Sequence, residues 1–237
     1  MKNQEMTSAI RNLLHEEGCD IVGIADLSPC ENLPDRELTK GIVYGIALDP
    51  LVIKDLREGP GMEYLAEYKK VNSKLDHMAE KLLDHLLSGG YSAFSIGSTT
   101  EKFDRESLSA DFPHKTAAIR AGLGWIGKCD LLITKRFGSA LRFNTVITNA
   151  PLICDDPVNY SLCSECQACV QACPVNAPSG REWKPGLHRD EFLDIRSCYL
   201  HCTSISSRNG LDGTICGICI QACPWTQGYI KRSEKEV

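Results

Sequence analysis

Cys163-Ser-Glu-Cys166-Gln-Ala-Cys169-Val-Gln-Ala-Cys173-Pro174 decides how this chain of 237 residues is read. Four cysteines separated by two, two and three residues and closed by proline have the ligand spacing of a ferredoxin-type 4Fe-4S site. Fifty residues on, Cys216-Gly-Ile-Cys219-Ile-Gln-Ala-Cys223-Pro224 repeats the last three thiols of that run. In such pairs the first three cysteines of a copy hold one cluster, and the cysteine before proline crosses to the other. Cluster one then takes Cys163, Cys166, Cys169 and Cys223. Cluster two takes Cys216, Cys219 and Cys173 and needs one more thiolate, because Gly213 stands at the position equivalent to Cys163. Cys198 and Cys202 are the thiols inside the module that can supply it, and Cys198 is favoured.

The cysteine distribution divides the chain. Of 13 cysteines, only Cys19, Cys30 and Cys129 precede residue 150. A domain over 1–155 and a ferredoxin-like module over 156–237 are expected, with the boundary in the proline- and aspartate-rich stretch 151–160. A disulfide framework is disfavoured by the polar start at 1–9, which has no basic-then-apolar leader, and by the clustering of the cysteines. No apolar run approaches the ~18–20 residues of a membrane span, so a cytoplasmic protein with no membrane partner is expected. Zinc ligands usually come as two separated C-x2-C pairs, not as a run of four. No C-x2-C precedes histidine, which excludes c-type haem attachment. Net charge is −5, and residues 156–237 carry 8 basic and 9 acidic side chains, so no bulk attraction to nucleic acid is present.

The first 150 residues read as α+β. Thr7 is placed as the cap of a short helix ending at Gly18. Apolar runs at 21–25, 41–48, 91–96, 131–134 and 141–148 read as strands of one mixed sheet. Between them, apolar positions from Tyr64 to Leu86 recur at steps of mostly three and four, giving a long helix stopped by Gly89-Gly90. Another helix is expected after Pro113, running to Gly122. Beyond the boundary little regular structure is expected, apart from a helix over 190–198 capped by Asp190.

The segment Asp111-Phe-Pro-His-Lys-Thr-Ala-Ala-Ile-Arg-Ala-Gly-Leu-Gly-Trp-Ile-Gly-Lys128 carries Gly122-x-Gly124-x-x-Gly127. A dinucleotide fingerprint would need a strand before the glycines and a helix after them, and here that order is reversed. Three glycines in six residues still mean close approach, either of a flat ligand or of another stretch of backbone.

Together, Ala121-Gly-Leu-Gly-Trp-Ile-Gly-Lys128, the Cys163–Pro174 run and the closing Cys216–Trp225 motif resemble the epoxyqueuosine reductase family, from about Gly18 to Tyr229. The resemblance implies a nitroreductase-like, cobalamin-binding domain joined to a double 4Fe-4S module, a layout shared with reductive dehalogenases. It implies electrons from an external ferredoxin- or flavodoxin-type donor, passed through the clusters to a corrinoid that reduces the substrate. The Asp194-x-Arg196-x-Cys198 stretch resembles the family's isolated cluster ligand and supports Cys198. Relatives acting on tRNA continue into a helical-repeat domain, whereas this chain ends fourteen residues after Cys223, which implies a short form. The family's proton-donating aspartate falls at Leu108, and Asp111 is three residues away. A small or nucleoside-like substrate is therefore expected, with tRNA as a further partner.

Asp111 and His114 are the candidate catalytic acids, set against a helix cap and an exposed helix-end residue. Lys115, Gly122, Gly124, Trp125, Gly127 and Lys128 are the candidate cofactor-binding residues, with a flavin as the alternative to cobalamin. The reading from another class is a ferredoxin-type carrier that docks a partner and has no substrate of its own. In that case the glycine segment serves packing.

Overall fold

The computed structural model describes residues 2–31, 33–97, 103–104, 106–110 and 112–235. They form α1 (Lys2–Glu16), β1 (Ile21–Asp26), β2 (Lys40–Ala47), α2 (Pro50–Lys54), α3 (Met62–Ser88), β3 (Ala93–Ser95), β4 (Phe103–Asp104), β5 (Ser109–Ala110) and α4 (His114–Arg120). They continue as β6 (Trp125–Ile126), β7 (Leu132–Ile133), β8 (Leu141–Thr148), α5 (Ala168–Ala172), α6 (Ile195–Arg208), α7 (Ile218–Ala222) and α8 (Pro224–Ser233). Two compact units interleave along the chain. The first gathers Met1–Ile46, Val71–Leu123 and Arg142–Val158; the second gathers Ala47–Lys70, Gly124–Leu141 and Asn159–Val237. Among the described residues no helix is long and apolar enough to cross a membrane.

In the first unit a sheet of order β1-β2-β8-β3 is built from the apolar runs. β1 pairs antiparallel with β2, Ile21 opposite Gly45 and Asp26 opposite Lys40, and β3 pairs antiparallel with β8. Burial is continuous along β1 and β2 instead of alternating, which is the mark of strands covered on both faces. From α3, Val71, Leu75, Met78, Leu82 and Leu86 are all buried. A fully buried leucine of this kind contributes about 2 kcal/mol. Tyr44 is fully buried and donates its hydroxyl to the Leu75 carbonyl at 3.1 Å, which meets the cost of hiding the group.

Several expected elements come out differently. Thr7 lies inside α1, donating back to the Asn3 carbonyl at 2.7 Å, and the helix begins five residues earlier. Residues 132–133 do not join the main sheet; β7 pairs only with β6, in a separate two-stranded ribbon. Among its described residues the cysteine-rich part carries four α-helices, not one. Asp194, not Asp190, caps α6, accepting from Ser197 N at 3.0 Å, and Asp190 lies in a preceding 3-10 turn. Short helices between cysteines escape a periodicity search because one or two turns give no recurring stripe.

The stretch 151–158, expected as a boundary linker, is stitched into the first unit. Ile153 N donates to Thr7 Oγ1 at 3.0 Å, and Val158 N donates to the Ile119 carbonyl at 2.8 Å. Asp155 accepts from Ile24 N at 2.7 Å while Arg11 grips both its carboxylate oxygens at 2.7 and 2.6 Å. A bidentate guanidinium–carboxylate pair with a backbone donor is among the stronger polar contacts available.

In the second unit α5 and α7 pack against each other, bringing the two motif copies together. On α6, Ser206 accepts from Ile215 N at 3.2 Å and donates to its carbonyl at 2.9 Å, fixing the segment that leads into Cys216. Proline opens α8, where a missing N–H costs nothing.

Candidate metal centres

In each motif the middle thiol of the C-x2-C-x3-C portion lies in the first turn of a short helix, Cys169 on α5 and Cys219 on α7, and the last thiol stands at the extended residue just past that helix. The second unit contains a cavity of about 100 Å³ lined by Cys163, Cys166, Cys169 and Cys223, with Lys128, Ile133, Leu162 and Trp225 among its walls. These four thiols are the set expected for cluster one, including Cys223 from the other motif copy. Among the described residues no three Cys, His, Asp or Glu side chains close around one point as a single-ion site requires. An anionic iron–sulfur cube with four thiolate corners suits both the donor set and the space.

Lys128 is 4% exposed and donates to the carbonyls of Ser164 and Cys166 at 2.6 and 3.0 Å. Its ammonium therefore clamps the Cys163–Cys166 loop from within and supplies positive charge beside an anionic site. Sequence reasoning offered Lys128 to a cofactor edge; the structure turns it to the thiol ring.

For the second site the structure brings Cys198, Cys202 and Cys216 together. Cys202 lies within hydrogen-bonding reach of both other thiols, one helical turn from Cys198 on α6. The contact with Cys202 holds the Cys216 thiol down at about 6, and contacts with Cys198 first and then Cys216 push that of Cys202 upward. His201 also contacts Cys216, and its Nε2 is buried with no partner among the described residues. A buried, unmet ring nitrogen beside three thiols suits an absent acceptor such as cluster sulfide. Cys173 accepts from Ala177 N at 3.4 Å, an N–H···S contact of the kind that tunes cluster potentials. Cys219 touches Cys129, a thiol that sequence reading assigned to no site.

The glycine segment is occupied by backbone. A Cβ on Gly122, whose φ is +69°, would stand 2.7 Å from the Asp156 carbonyl oxygen. One on Gly124 would stand 2.1 Å from that of Ile133, and one on Gly127 would stand 2.9 Å from the Ile133 side chain. Trp125 is 2% exposed and meets Trp225 edge to face, with centroids 5.2 Å apart; its Nε1 is buried without a partner among the described residues. Lys115 is half-buried on the first turn of α4.

Of the candidate acids, Asp111 lies outside the described residues. His114 is largely enclosed within the first unit, with Nε2 donating to the Gly97 carbonyl at 2.7 Å. Nδ1 is then the bare nitrogen that accepts from Thr145 Oγ1 at 2.9 Å. Burial holds its pKa down at about 4, partly offset by the Gly97 contact. Leu108, at the family's aspartate position, is buried with φ +52°.

Comparison with known proteins places this geometry. Residues 162–226 match the 4Fe-4S double cluster binding domain. An epoxyqueuosine reductase of Synechococcus sp. (strain RCC307) is 36% identical over 132 residues, 53% of this chain and 38% of that protein. The chain thus spans well under half the length of the curated relatives it matches. Among solved structures, a reductive dehalogenase described as suggesting a mechanism for B12-dependent dehalogenation superposes with a TM-score of 0.73 at 22% identity, over 99% of this chain and 34% of that one. An epoxyqueuosine reductase with an epoxyqueuosine-modified tRNA stem loop gives 0.61 at 18% identity, over 95% and 66%. With its ferredoxin-like cysteine ladder set in an α+β fold of this type, the chain is similar to epoxyqueuosine reductases over about half its length, and its residues 162–226 belong to the 4Fe-4S double cluster binding domain.

Proposed function

We propose that this chain is an iron–sulfur reductase taking single electrons from an external ferredoxin- or flavodoxin-type donor and passing them through two 4Fe-4S clusters. The observation that carries the reading is the ring of Cys163, Cys166, Cys169 and Cys223 around one cavity, which unites the two motif copies as a paired-cluster module requires. In the ligand set, Cys216, Cys219, Cys173 and Cys198 hold the second cluster. The chain's own contribution is to hold the thiolates, place Lys128 against one cluster loop, and set potentials through buried N–H groups.

Kinship supports a corrinoid as the acceptor: relatives include a tetrachloroethene reductive dehalogenase, and the fold is that of a protein described for B12-dependent chemistry. The residues expected to cradle it do not fit that role, because the glycines meet backbone and side chain, and Trp125 and Lys128 are turned inward. The electron path derived from this chain therefore ends at the clusters. The same packing favours a second reading, a carrier that hands electrons to a partner protein. A small or nucleoside-like substrate belongs to the first reading, and tRNA enters it through the relatives alone.

Anaerobic purification with cobalamin supplied, followed by a visible spectrum, tests the proposal. Corrinoid bands in stoichiometric amount beside broad cluster absorption are expected of the reductase. Clusters alone would replace it with the carrier, flavin bands with a flavoenzyme, and absence of iron would remove both electron-transfer readings.

A further inference from the structure

Cys129 follows Lys128, whose ammonium is anchored on the Ser164 and Cys166 carbonyls, so its backbone is tied to the first cluster loop. It sits in a tight turn in which Asp130 N donates to the Gly127 carbonyl at 2.9 Å and Asp130 takes a left-handed φ of +59°. The side chain is 7% exposed and lines the cavity of cluster one. Its sulfur reaches the thiols of both Cys169 and Cys219.

Cys169 and Cys219 occupy equivalent positions in the two motif copies, fifty residues apart. Each lies in the first turn of its own short helix, and those helices pack together. A single side chain thus touches equivalent thiols of both motif copies, one from each expected cluster set.

We infer that Cys129 is a non-ligating thiol that bridges the two clusters, donating its S–H to a ligand sulfur of one or the other. Reduction of either cluster adds one electron and with it negative charge on the ligand sulfurs. A donor aimed at those sulfurs stabilises the reduced form and raises the potential. In contact with a ligand of each set, one donor acts on both clusters and links their two potentials. Cys129 is thus a positioning and tuning residue for electron transfer between clusters, not a ninth ligand.

The inference rests on the iron–sulfur reading, and the test separates the two. Iron content and anaerobic redox titrations followed by electron paramagnetic resonance are measured on wild type, Cys129→Ala and Cys129→Ser. Expected are full iron in all three proteins, midpoint potentials shifted negative in the alanine variant, and a shift back toward wild type in the serine variant, whose hydroxyl still donates. Loss of about half the iron on either substitution would make Cys129 a ligand and overturn the inference. Unshifted potentials in both iron-loaded variants would overturn it equally. A wild type without iron would overturn the cluster reading beneath it. Should the alanine variant not fold, Cys129→Val, which fills the space and cannot donate, takes its place: potentials shifted negative with iron retained support the bridge, and unchanged potentials end it.

Discussion

The Lys128 ammonium donates to the Cys166 carbonyl at 3.0 Å, so a buried cation is tied to the backbone of a thiolate loop that must carry negative charge. The same nitrogen reaches Ser164, whose left-handed φ of +41° shows how tightly that loop is turned. Truncating Lys128 to alanine leaves two carbonyls without their donor, and contacts to a charged group are worth about 1.5–3 kcal/mol each. Lys128→Ala is expected to lower stability by about 2 kcal/mol and to speed release of iron to a chelator. Chelation kinetics identical to wild type would show that the clamp has no part in holding the first cluster.

Cys198→Ala is expected to lose about half of the bound iron, since one of two clusters loses a corner. Cys202→Ala is expected to keep its iron, with only the environment of the second cluster perturbed. Iron analysis with visible spectra of both variants checks this, and the opposite pattern would transfer the ligand role to Cys202.

Gly124→Ala drives a methyl group toward the Ile133 carbonyl oxygen, where a Cβ would stand 2.1 Å away. The β6–β7 ribbon must open, and a loss of about 3 kcal/mol or failure to fold is expected, on the scale of overpacked cores. Thermal unfolding without any added cofactor reads this out. A fully stable variant that has lost only cofactor binding would restore the segment to a ligand-facing role.

His114 has a folded pKa near 4 against an ordinary value of 6.5. The folded state therefore binds fewer protons than the unfolded chain between those values, and stability falls as pH drops. The contribution is full above about pH 6.5 and declines by about 1.4 kcal/mol per pH unit toward pH 4. His114→Gln has no such proton, so its stability should vary less over that window. Denaturant melts of both proteins at several pH values give the comparison; parallel curves would mean His114 is not buried as a neutral ring.

The main strands and the long helix were legible because they announce themselves by length and apolar run. Tyr64 to Leu86 needed only a 3.6-residue period, and Ile21–Ala25 and Gly41–Leu48 only short bounded apolar stretches. The ribbon of Trp125–Ile126 with Leu132–Ile133 was not legible, since two-residue strands are decided by what they pack on. The cap at Asp194 was missed because Asp190 offers the same side chain one turn earlier, and local chemistry alone does not choose between them.

Thiol spacing belongs to the chain itself: the run of Cys163, Cys166, Cys169 and Cys173 before proline is legible whatever lies around it, and the paired motif named its crossover ligand Cys223 without any coordinates. Cys129 and Lys128 are another matter. Their partners lie some 36 to 90 residues away along the chain, and contacts at such separations exist only after packing has chosen which surfaces meet. The metal's corners were written in the primary structure, and the groups that steady and tune them were settled by the folded interior.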